Sequence, residues 1–339
     1  MLSQFKPYLQ LGSRRVGAGY PTWIIAEIGI NHEGDADVCA QLIRESARAG
    51  ADAIKLQTMD ADENYTPDTT SYPLFKKAAL SPETVTEMFR LSRSLGVEPL
   101  TTCGDLKTLQ WIQALHPVAY KISSGLFNHI PFIQQVASLR TPLIMSTGVA
   151  TWQDIDEMMA LLHQVGTTEV GLCQCTPLYP APEDSLHLGC IRAMQERYAL
   201  PVGYSDHSLG IEAAVIAVAA GASLIEKHVT LDRSRLGFDH GISAEPDEFA
   251  RMVMRIRKVH TLLGSSEKIL TEPLRQARNT ISRCIVARRP ISMGEIFSED
   301  NLTVKRSSAQ ERGAEPKCMP QLLGQRARQS YRENEAIYV

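Results

Sequence analysis

Short, nearly continuous apolar runs alternate with amphipathic stretches along the first 263 residues of the chain. Apolar runs of this kind are typical of parallel strands that are covered on both faces. They predict eight strands, over residues 22–30, 51–57, 98–103, 119–124, 142–147, 169–175, 201–207 and 223–228. The stretches between them predict helices over residues 37–49, 82–95, 105–115, 128–138, 151–165, 185–198 and 210–220, and an eighth helix follows over 246–263.

Regular alternation of strand and helix predicts a parallel sheet with right-handed crossovers. Eight such units in succession fit an α/β fold of the (β/α)8 TIM barrel type. A doubly wound open sheet of eight strands is the structural alternative. The segment 58–81 is too long for a tight turn between a strand and a helix, so it is expected to be a lid or a binding loop.

The pattern changes after residue 263. Residues 264–283 are polar and contain Pro273, so they predict a linker that is partly helical. Residues 284–339 consist of short strand and turn patterns, which predict a small β-rich domain. The chain is therefore expected to comprise a barrel domain over 1–263, a linker over 264–283 and a C-terminal domain over 284–339.

The net charge of the chain and its distribution narrow the range of functions that the protein could have. The 339 residues carry a net charge of −3 and include neither a basic stripe nor a recognition motif for nucleic acid, so no nucleic-acid partner is expected. The charge is uneven, because residues 265–339 contain 13 Lys/Arg and 9 Asp/Glu, which leaves the preceding part acidic. The basic part is expected to attract the acidic part or to approach an anionic ligand.

The sequence also predicts the location of the protein and the redox state of its cysteines, because certain motifs are absent from it. The N-terminal residues lack the apolar core of a signal peptide, and no run approaches the length of about 18 apolar residues that a membrane span needs. A cytoplasmic protein without a membrane span is therefore expected. The seven cysteines include no CxxC pair, and Cys173 and Cys175 are expected to be reduced and structural.

Two histidines stand where a barrel carries its active site, at the carboxyl ends of strands. His207 and His228 end adjacent predicted strands. Such a pair either holds a divalent ion, with positions left for water and substrate, or has a structural role. Asp206 points to the opposite face of its strand from His207, so it is not expected to be a ligand.

Three lysines lie within or at the end of apolar strands, at positions 55, 121 and 227. A buried lysine needs an anionic partner, which is either a carboxylate of the protein or a bound phosphate or carboxylate. Ser124 and Ser146 would add hydroxyl groups to an anion site, and any of the three lysines could instead form a Schiff base. These alternatives stay open at this point.

The remaining candidates lie on strand ends and loops. Glu27 is either a catalytic acid or base or the structural partner of a lysine. Asn31 and His32 follow on a short loop, where a histidine is expected to be exposed. Tyr179 lies in a proline-stiffened segment, and Asp239 follows the last strand, where it could bind a sugar hydroxyl or form an Asx turn.

Several of these segments together resemble the sialic acid synthase family, including its spore-coat polysaccharide protein E branch. The segments are IIAEIGINHEGD, ADAIKLQT, YKISSG, STGVAT, YPAP, GYSDHS, IEKHVTLDR and DHGISAEPDEF, which follow the family order. The later segment GEIFSEDNLTVKR resembles the antifreeze-like (SAF) domain that ends these synthases.

The resemblance implies a metal-dependent condensation of phosphoenolpyruvate (PEP) with an open-chain N-acylated hexosamine, for the biosynthesis of surface polysaccharide. The metal is expected to be Mn²⁺ first, with Mg²⁺ or Co²⁺ as alternatives, held by His207 and His228. The family's PEP contacts fall on Lys55, Thr102, Lys121, Ser124, Ser146 and Ser205. Its sugar contacts fall on Glu27, Gln57, Tyr179 and Asp239. The expected catalytic residues are Glu27, Lys55, Lys121, His207 and His228.

The resemblance also implies a domain-swapped homodimer, in which Arg306 of the VKR motif reaches the site of the neighbouring subunit.

The chain departs from the usual family sequence in four places. The segment after the third barrel strand is Cys103-Gly104-Asp105, Leu126 and Pro177 replace a glutamate and an asparagine, and Ser307 replaces a proline. The acceptor is therefore expected to differ from plain N-acetylmannosamine, and a diacetamido sugar is one candidate.

Two other functions remain open from the sequence. The first is a Schiff-base aldolase that uses Lys121 or Lys55. The second is a non-catalytic relative that binds sugar phosphates, which the changes at Leu126 and Pro177 would allow.

Overall fold

The computed structural model describes residues 5–307 and 313–338 of the chain. These residues form two units, and the boundary between them falls between Gly264 and Ser265. The first unit, the barrel unit, contains the strands β1 (Tyr8–Leu11), β2 (Arg14–Gly17), β3 (Trp23–Gly29), β4 (Ala53–Gln57), β5 (Glu98–Thr102), β6 (Tyr120–Ile122), β7 (Leu143–Ser146), β8 (Val170–Cys175), β9 (Val202–Asp206) and β10 (Leu224–His228).

The helices of the barrel unit follow the strands in alternation. They are α1 (Ala36–Arg48), α2 (Ala61–Asn64), α3 (Ser71–Ala78), α4 (Pro82–Ser94), α5 (Leu106–Ile112), α6 (Ile130–Ser138), α7 (Trp152–Val165), α8 (Gly189–Tyr198), α9 (Glu212–Ala219) and α10 (Pro246–Leu263). Side-chain caps fix several of their starts. Asp35 accepts hydrogen bonds from the first turn of α1, and Thr151 forms a capping box with Asp154 at the start of α7.

The eight strands from β3 to β10 form one parallel sheet, in which successive strands are hydrogen-bonded neighbours except β5 and β6, which lie in contact and close the barrel. The last strand, β10, pairs with the first, β3, from Leu224↔Trp23 to His228↔Glu27. A doubly wound sheet reverses its strand order at a switch point, and no such reversal occurs in this cyclic order. The predicted TIM barrel is therefore confirmed, and the open-sheet alternative is wrong.

The barrel interior is filled from below by an element that the sequence pattern did not predict. The antiparallel hairpin of β1 and β2 places Leu9, Leu11 and Val16 in one buried cluster with Trp23 and Ile25 of the barrel. Among the described residues, the hairpin occupies the amino-terminal end of the barrel, which leaves the carboxyl-terminal end to hold a ligand.

The segment 58–81, called the lid below, is not an irregular loop. It contains α2 and α3, two short helices that the sequence pattern missed. Asp60 caps the first of them. Asp105, at the start of α5, accepts hydrogen bonds from the backbone N–H of Asp60 and from Asn64 Nδ2, at 3.0 and 2.9 Å. The unusual Gly104-Asp105 pair therefore anchors the beginning of the lid.

The second unit, the C-terminal unit, begins with α11 (Glu272–Ile281), which lies within the segment assigned to the linker by the sequence. The antiparallel strands β11 (Cys284–Ala287) and β12 (Leu302–Lys305) and the short helix α12 (Met319–Leu322) follow. Ile285, Phe297, Leu302, Tyr331 and Ile337 are among the residues of its small core. In both units, no helix of the described residues has the length and apolar character that crossing a bilayer requires.

Candidate active site

A cavity of about 340 Å³ opens where the barrel strands end. This volume lies in the range of small-molecule sites. The structure brings every barrel residue that was assigned to the site into its lining: Glu27, Lys55, Gln57, Thr102, Lys121, Ser124, Ser146, Tyr179, Ser205, His207, His228 and Asp239. Arg306 belongs to the C-terminal unit, where it is exposed, and its role at a neighbouring subunit's site stays a prediction.

Four buried ionisable side chains form the floor of the cavity, and we call them the charge cluster: Glu27, Lys55, Lys121 and Glu226. They meet because Glu27 and Lys55 stand opposite each other in the pairing of β3 with β4. Lys55 Nζ lies 3.3 Å from Glu27 Oε2 and 3.1 Å from Glu226 Oε2. Lys121 Nζ lies 3.6 Å from Glu226 Oε1.

The two carboxylates of the charge cluster differ in protonation. Burial raises the pKa of Glu27 to about 7, although the charge of Lys55 acts in the opposite direction. Burial would also raise the pKa of Glu226, but the charges of Lys121 and Lys55 outweigh it and hold this pKa below its ordinary value. Near neutral pH the cluster therefore carries more positive than negative charge, which favours binding of an anion.

Hydroxyl groups surround the two lysines. Lys121 Nζ donates a hydrogen bond of 2.6 Å to Ser146 Oγ, and Lys55 Nζ lies 3.4 Å from Thr102 Oγ1. Ser205 Oγ donates to Glu226 Oε1 at 2.8 Å. Ser124 Oγ accepts the backbone N–H of Gly148 at 3.0 Å. Lysine ammonium, hydroxyl and backbone N–H groups are the donors that phosphate and carboxylate oxygens need.

Glu226 is the member of this site to which the sequence analysis assigned no role. The signal was present, because Glu226 and His228 are two residues apart on β10 and so point to the same face of the strand. Lys227, between them, points the other way. It forms a buried ion pair with Asp206 at 2.9 Å and donates to the carbonyl of Ser208, away from the cavity.

This placement settles one open alternative for the lysines. The salt-bridge interpretation of Lys227 is confirmed, and its Schiff-base or anion-binding interpretation is wrong, because its ammonium group does not reach the cavity. The expectation that His32 is exposed is also wrong. Only 2% of His32 is exposed, its Nδ1 accepts the N–H of Gly34 at 3.1 Å, and burial lowers its pKa to about 4.

The two site histidines stand side by side at the ends of β9 and β10, with ring centres 5.4 Å apart. His207 Nδ1 lies 2.8 Å from the carbonyl oxygen of Thr176, an arrangement that places a proton on Nδ1 and leaves Nε2 as an acceptor. Tyr179 stacks on this ring at 4.2 Å, and its hydroxyl lies 2.9 Å from Nε2. Nδ1 of His228 is buried and has no hydrogen-bond partner.

These histidines have the properties of metal ligands. Burial lowers the pKa of both His207 and His228, so both imidazoles are neutral and each offers a nitrogen lone pair. Asp239 Oδ2 lies 3.5 Å from His228 Nδ1. Within residues 5–307 and 313–338, no three His, Cys, Asp or Glu side chains form a ligand group. A cation on the histidine pair would therefore keep several positions for water and substrate.

The upper part of the cavity is formed by loops. From the lid, Met59, Tyr65, Ser71, Leu74 and Phe75 line it, and the rings of Tyr65 and Phe75 lie 5.0 Å apart. The segment 229–239 after β10, called the β10 loop below, adds Phe238 and Asp239. The cavity thus has a charged floor carried by strands and a largely apolar upper wall carried by loops.

The four departures from the usual family sequence differ in their positions relative to the cavity. Pro177 lines the cavity, next to Tyr179. Leu126 does not line it but packs against the core between barrel and helices. Cys175 lines the cavity, with its sulfur 3.7 Å from His207 Nδ1, whereas Cys173 is part of the barrel interior.

Comparisons with known proteins agree with this architecture. Residues 42–268 match the NeuB family, and residues 282–338 match the SAF domain. An uncharacterised protein of Methanocaldococcus jannaschii is 39% identical over 333 residues, covering 97% of each chain. The N,N'-diacetyllegionaminic acid synthase of Campylobacter jejuni is 32% identical, covering 93% of this chain and 98% of the synthase. The crystal structure of N-acetylneuraminic acid synthetase from Leptospira borgpetersenii in complex with citrate has a TM-score of 0.77 at 30% identity, covering 81% of this chain and 97% of that chain.

Proposed function

The chain belongs to the NeuB family, and from this premise we propose that it condenses PEP with an open-chain N-acylated hexosamine. The products are a nine-carbon 2-keto sugar acid and phosphate. The relatives of this chain include synthases of nonulosonic acids, such as the Campylobacter enzyme. The observation that carries the proposal is the positively charged cluster beside two neutral histidines in one cavity.

The charge cluster binds the anionic substrate. Lys55 and Lys121 neutralise the phosphate and the carboxylate of PEP. They can do so because Glu27 and Glu226 together carry less negative charge than the two lysines carry positive charge. The hydroxyl groups around them complete the hydrogen bonds to the same oxygens, as the family's contacts imply: Thr102, Ser124, Ser146 and Ser205.

His207 and His228 are the residues that would hold a divalent cation, Mn²⁺ in the first place. Nδ1 of His228, which has no hydrogen-bond partner, and Nε2 of His207, which lies beside the Tyr179 hydroxyl and acts as an acceptor, fit this role. When bound, such an ion supplies Lewis acidity, which polarises the aldehyde of the sugar. Asp239 and Tyr179, next to the two imidazoles, hold the hydroxyl groups of the open-chain sugar close to them.

The reaction forms one carbon–carbon bond and breaks one carbon–oxygen bond. C3 of PEP attacks the aldehyde carbon, whose oxygen takes up a proton and becomes a hydroxyl. Water adds at C2, and the bond from C2 to the phosphate oxygen breaks to give the keto acid and phosphate. Glu27, whose burial raises its pKa to about 7, takes the proton of the attacking water.

The upper wall determines the acceptor. Lys55 and Glu226, in the floor, stand on strands. Pro177 stands in the segment after β8, in the place of an amide side chain that would bond a sugar hydroxyl. A largely apolar wall that lacks this amide favours an acceptor in which some hydroxyl groups are replaced by acetamido groups or by hydrogen. We therefore propose a diacetamido hexose as the acceptor class.

The Schiff-base alternative is less favoured by the electrostatics. Burial would lower the pKa of Lys55, but the charges of Glu226 and Glu27 outweigh it and raise this pKa. A Schiff base requires a neutral amine, which this environment opposes. Trapping with borohydride in the presence of a keto acid tests the alternative directly.

The testing experiment is phosphate release from PEP in the presence of N-acetylmannosamine, its 6-phosphate and diacetamido hexoses. Release is expected with at least one acceptor and to be fastest with a diacetamido hexose. Treatment with EDTA is expected to abolish it, and Mn²⁺ to restore it. Turnover that persists without metal would overturn the role of the two histidines, and no release with any acceptor would overturn the proposed reaction.

The homodimer is a separate part of the proposal. If Arg306 completes the site of a neighbouring subunit, two inactive variants complement each other. Mixing Arg306→Ala with His207→Ala, under conditions that allow subunits to exchange, is expected to restore part of the activity. No recovery in mixed dimers that are shown to form would contradict the exchange of domains.

A further inference from the structure

Three chain segments meet at one side chain beside the mouth of the cavity. Glu33 follows β3 in the loop of residues 30–35, called the β3 loop below. Its Oε1 lies 2.5 Å from Arg235 Nη2 in the β10 loop and 3.3 Å from His240 Nε2. Its Oε2 lies 3.1 Å from Lys77 Nζ in α3 of the lid. One carboxylate therefore bonds the lid and the β10 loop to the β3 loop.

The partners of Glu33 are close neighbours of cavity-lining residues. Lys77 lies two residues after Phe75, and Arg235 and His240 flank Phe238 and Asp239 in the chain. Lys77 Nζ also lies 5.2 Å from the ring centre of Phe238, so the lid and the β10 loop touch directly at this point. Glu33 itself does not line the cavity.

The backbone of the β3 loop is shaped for this contact. Gly34 has φ +86°, and a Cβ at this position would lie 2.5 Å from the carbonyl oxygen of Lys77. Only glycine allows the lid to approach the loop so closely. Glu33 itself adopts φ 52°, a left-handed conformation that is uncommon for a residue with a side chain.

The β10 loop has a second attachment close to Glu33, whereas the contact of the lid with Asp105 lies at the beginning of the lid, far along the chain from Lys77. Asn31 Oδ1 accepts the backbone N–H of Asp239 at 3.0 Å, and Asn31 Nδ2 donates to the carbonyl of Val229 at 2.9 Å. Loss of the Glu33 carboxylate would therefore leave the β10 loop held by Asn31. The end of the lid would lose its ionic contact to the β3 loop.

We propose that Glu33 is a positioning residue for the acceptor sugar, because it fixes the lid over the half of the cavity that receives the sugar. The kinetic part of this proposal rests on the proposed function. Glu33 touches neither the charge cluster nor the two site histidines, so it affects binding of the sugar and leaves binding of PEP unchanged. The carboxylate must be ionised for this role. Partial burial opposes ionisation, but the hydrogen bond from Lys77 and the charge of Arg235 lower the pKa of Glu33 below its ordinary value.

The test compares Glu33→Gln and Glu33→Asp with a matched control, Glu169→Gln. Glu169 is also largely buried and ion-paired, to Lys6 at 2.6 Å, but it precedes β8 at the opposite end of the barrel. Hydrogen–deuterium exchange of the ligand-free proteins reports on the lid. The KM values for PEP and for the acceptor report on the two halves of the cavity.

Glu33→Gln is expected to speed exchange of the lid amides and to raise the acceptor KM about fivefold, with the KM for PEP unchanged. Glu33→Asp keeps the charge but shortens its reach, so it is expected to fall between Glu33→Gln and the wild type. Glu169→Gln is expected to change neither quantity. Unchanged lid exchange in Glu33→Gln, or equal increases in both KM values, would overturn the proposal.

The two readouts separate this proposal from the proposed function. If the wild-type protein releases no phosphate from PEP with any acceptor, the proposed reaction fails. Faster exchange of the lid in Glu33→Gln, but not in Glu169→Gln, would still support Glu33 as the attachment of the lid, and unchanged exchange would overturn it.

Discussion

The floor and the upper wall of the cavity are built in different ways. The charge cluster stands on four different strands of one barrel, fully buried and bonded in several directions. The upper wall stands on the lid and the β10 loop, which are held by partly exposed ion pairs such as those of Glu33. A rigid floor suits chemistry that must keep fixed distances, whereas a wall on loops can change with the acceptor. Pro177, the departure from the usual family sequence that lines the cavity, lies in the segment after β8, which agrees with this division.

Because the floor binds the anionic substrate, we expect the substitution of Lys121 to have the largest effect on activity. Lys121→Met removes one of the two cations of the floor, and removal of one partner of a buried charge pair weakens binding by about 2–5 kcal/mol. We expect kcat/KM for PEP to fall by at least about a hundredfold, as measured by phosphate release. A loss confined to the acceptor KM would contradict the assignment of Lys121 to the anion.

Lys227→Met is the matched control, because Lys227 is equally buried but faces away from the cavity. Its removal leaves Asp206 as an unpaired buried charge, so we expect unfolding to become easier by about 3 kcal/mol. Chemical denaturation measures this loss. The folded fraction should retain the wild-type KM for PEP, and a large increase in that KM would show that the two lysines do not divide their roles in this way.

The upper wall is tested by removing an aromatic ring from the lid. Phe75→Ala enlarges the acceptor half of the cavity and removes apolar contact area worth about 1.5–3 kcal/mol when it is fully buried. Since Phe75 is partly exposed, we expect the acceptor KM to rise by about tenfold. The KM for PEP is the internal control, and it should stay unchanged. An increase in both values would mean that the floor and the wall are not independent.

The smallest effect is expected at Pro177. Pro177→Asn restores an amide that can bond a sugar hydroxyl, and one such hydrogen bond contributes about 1 kcal/mol. The ratio of kcat/KM for N-acetylmannosamine to that for a diacetamido hexose should rise by about fivefold. Pro182→Asn, in the same segment but outside the cavity lining, should leave the ratio unchanged. An unchanged ratio in Pro177→Asn would remove this position from acceptor choice.

The sequence predicted the floor much better than the wall. Strand ends follow from apolar runs, and the barrel brings those ends together, so Lys55, Lys121, His207 and His228 could be placed near one another without coordinates. Glu226 was missed although the two-residue period of β10 would have placed it beside His228. The wall depends on contacts between loops that are distant in the chain, such as Glu33 with Lys77 and Arg235, and no local pattern reveals them.

The same reason explains the errors outside the site. The β1–β2 hairpin is stabilised by the barrel interior, and α2 and α3 depend on contacts such as that of Asp105 with Asn64. The four residues of α2 are too few to give a helical period. His32 is buried because the lid and the loops around it cover the short segment after β3, which the local sequence does not indicate.

The most direct test of the central claim is the identity of the product. The wild-type protein with Mn²⁺, PEP and a diacetamido hexose should give a compound whose mass equals that of the acceptor plus one pyruvate. Phosphate should appear in equal molar amount, and both should disappear in Lys121→Met. Phosphate release without this product, or formation of the product from pyruvate in place of PEP, would contradict the account.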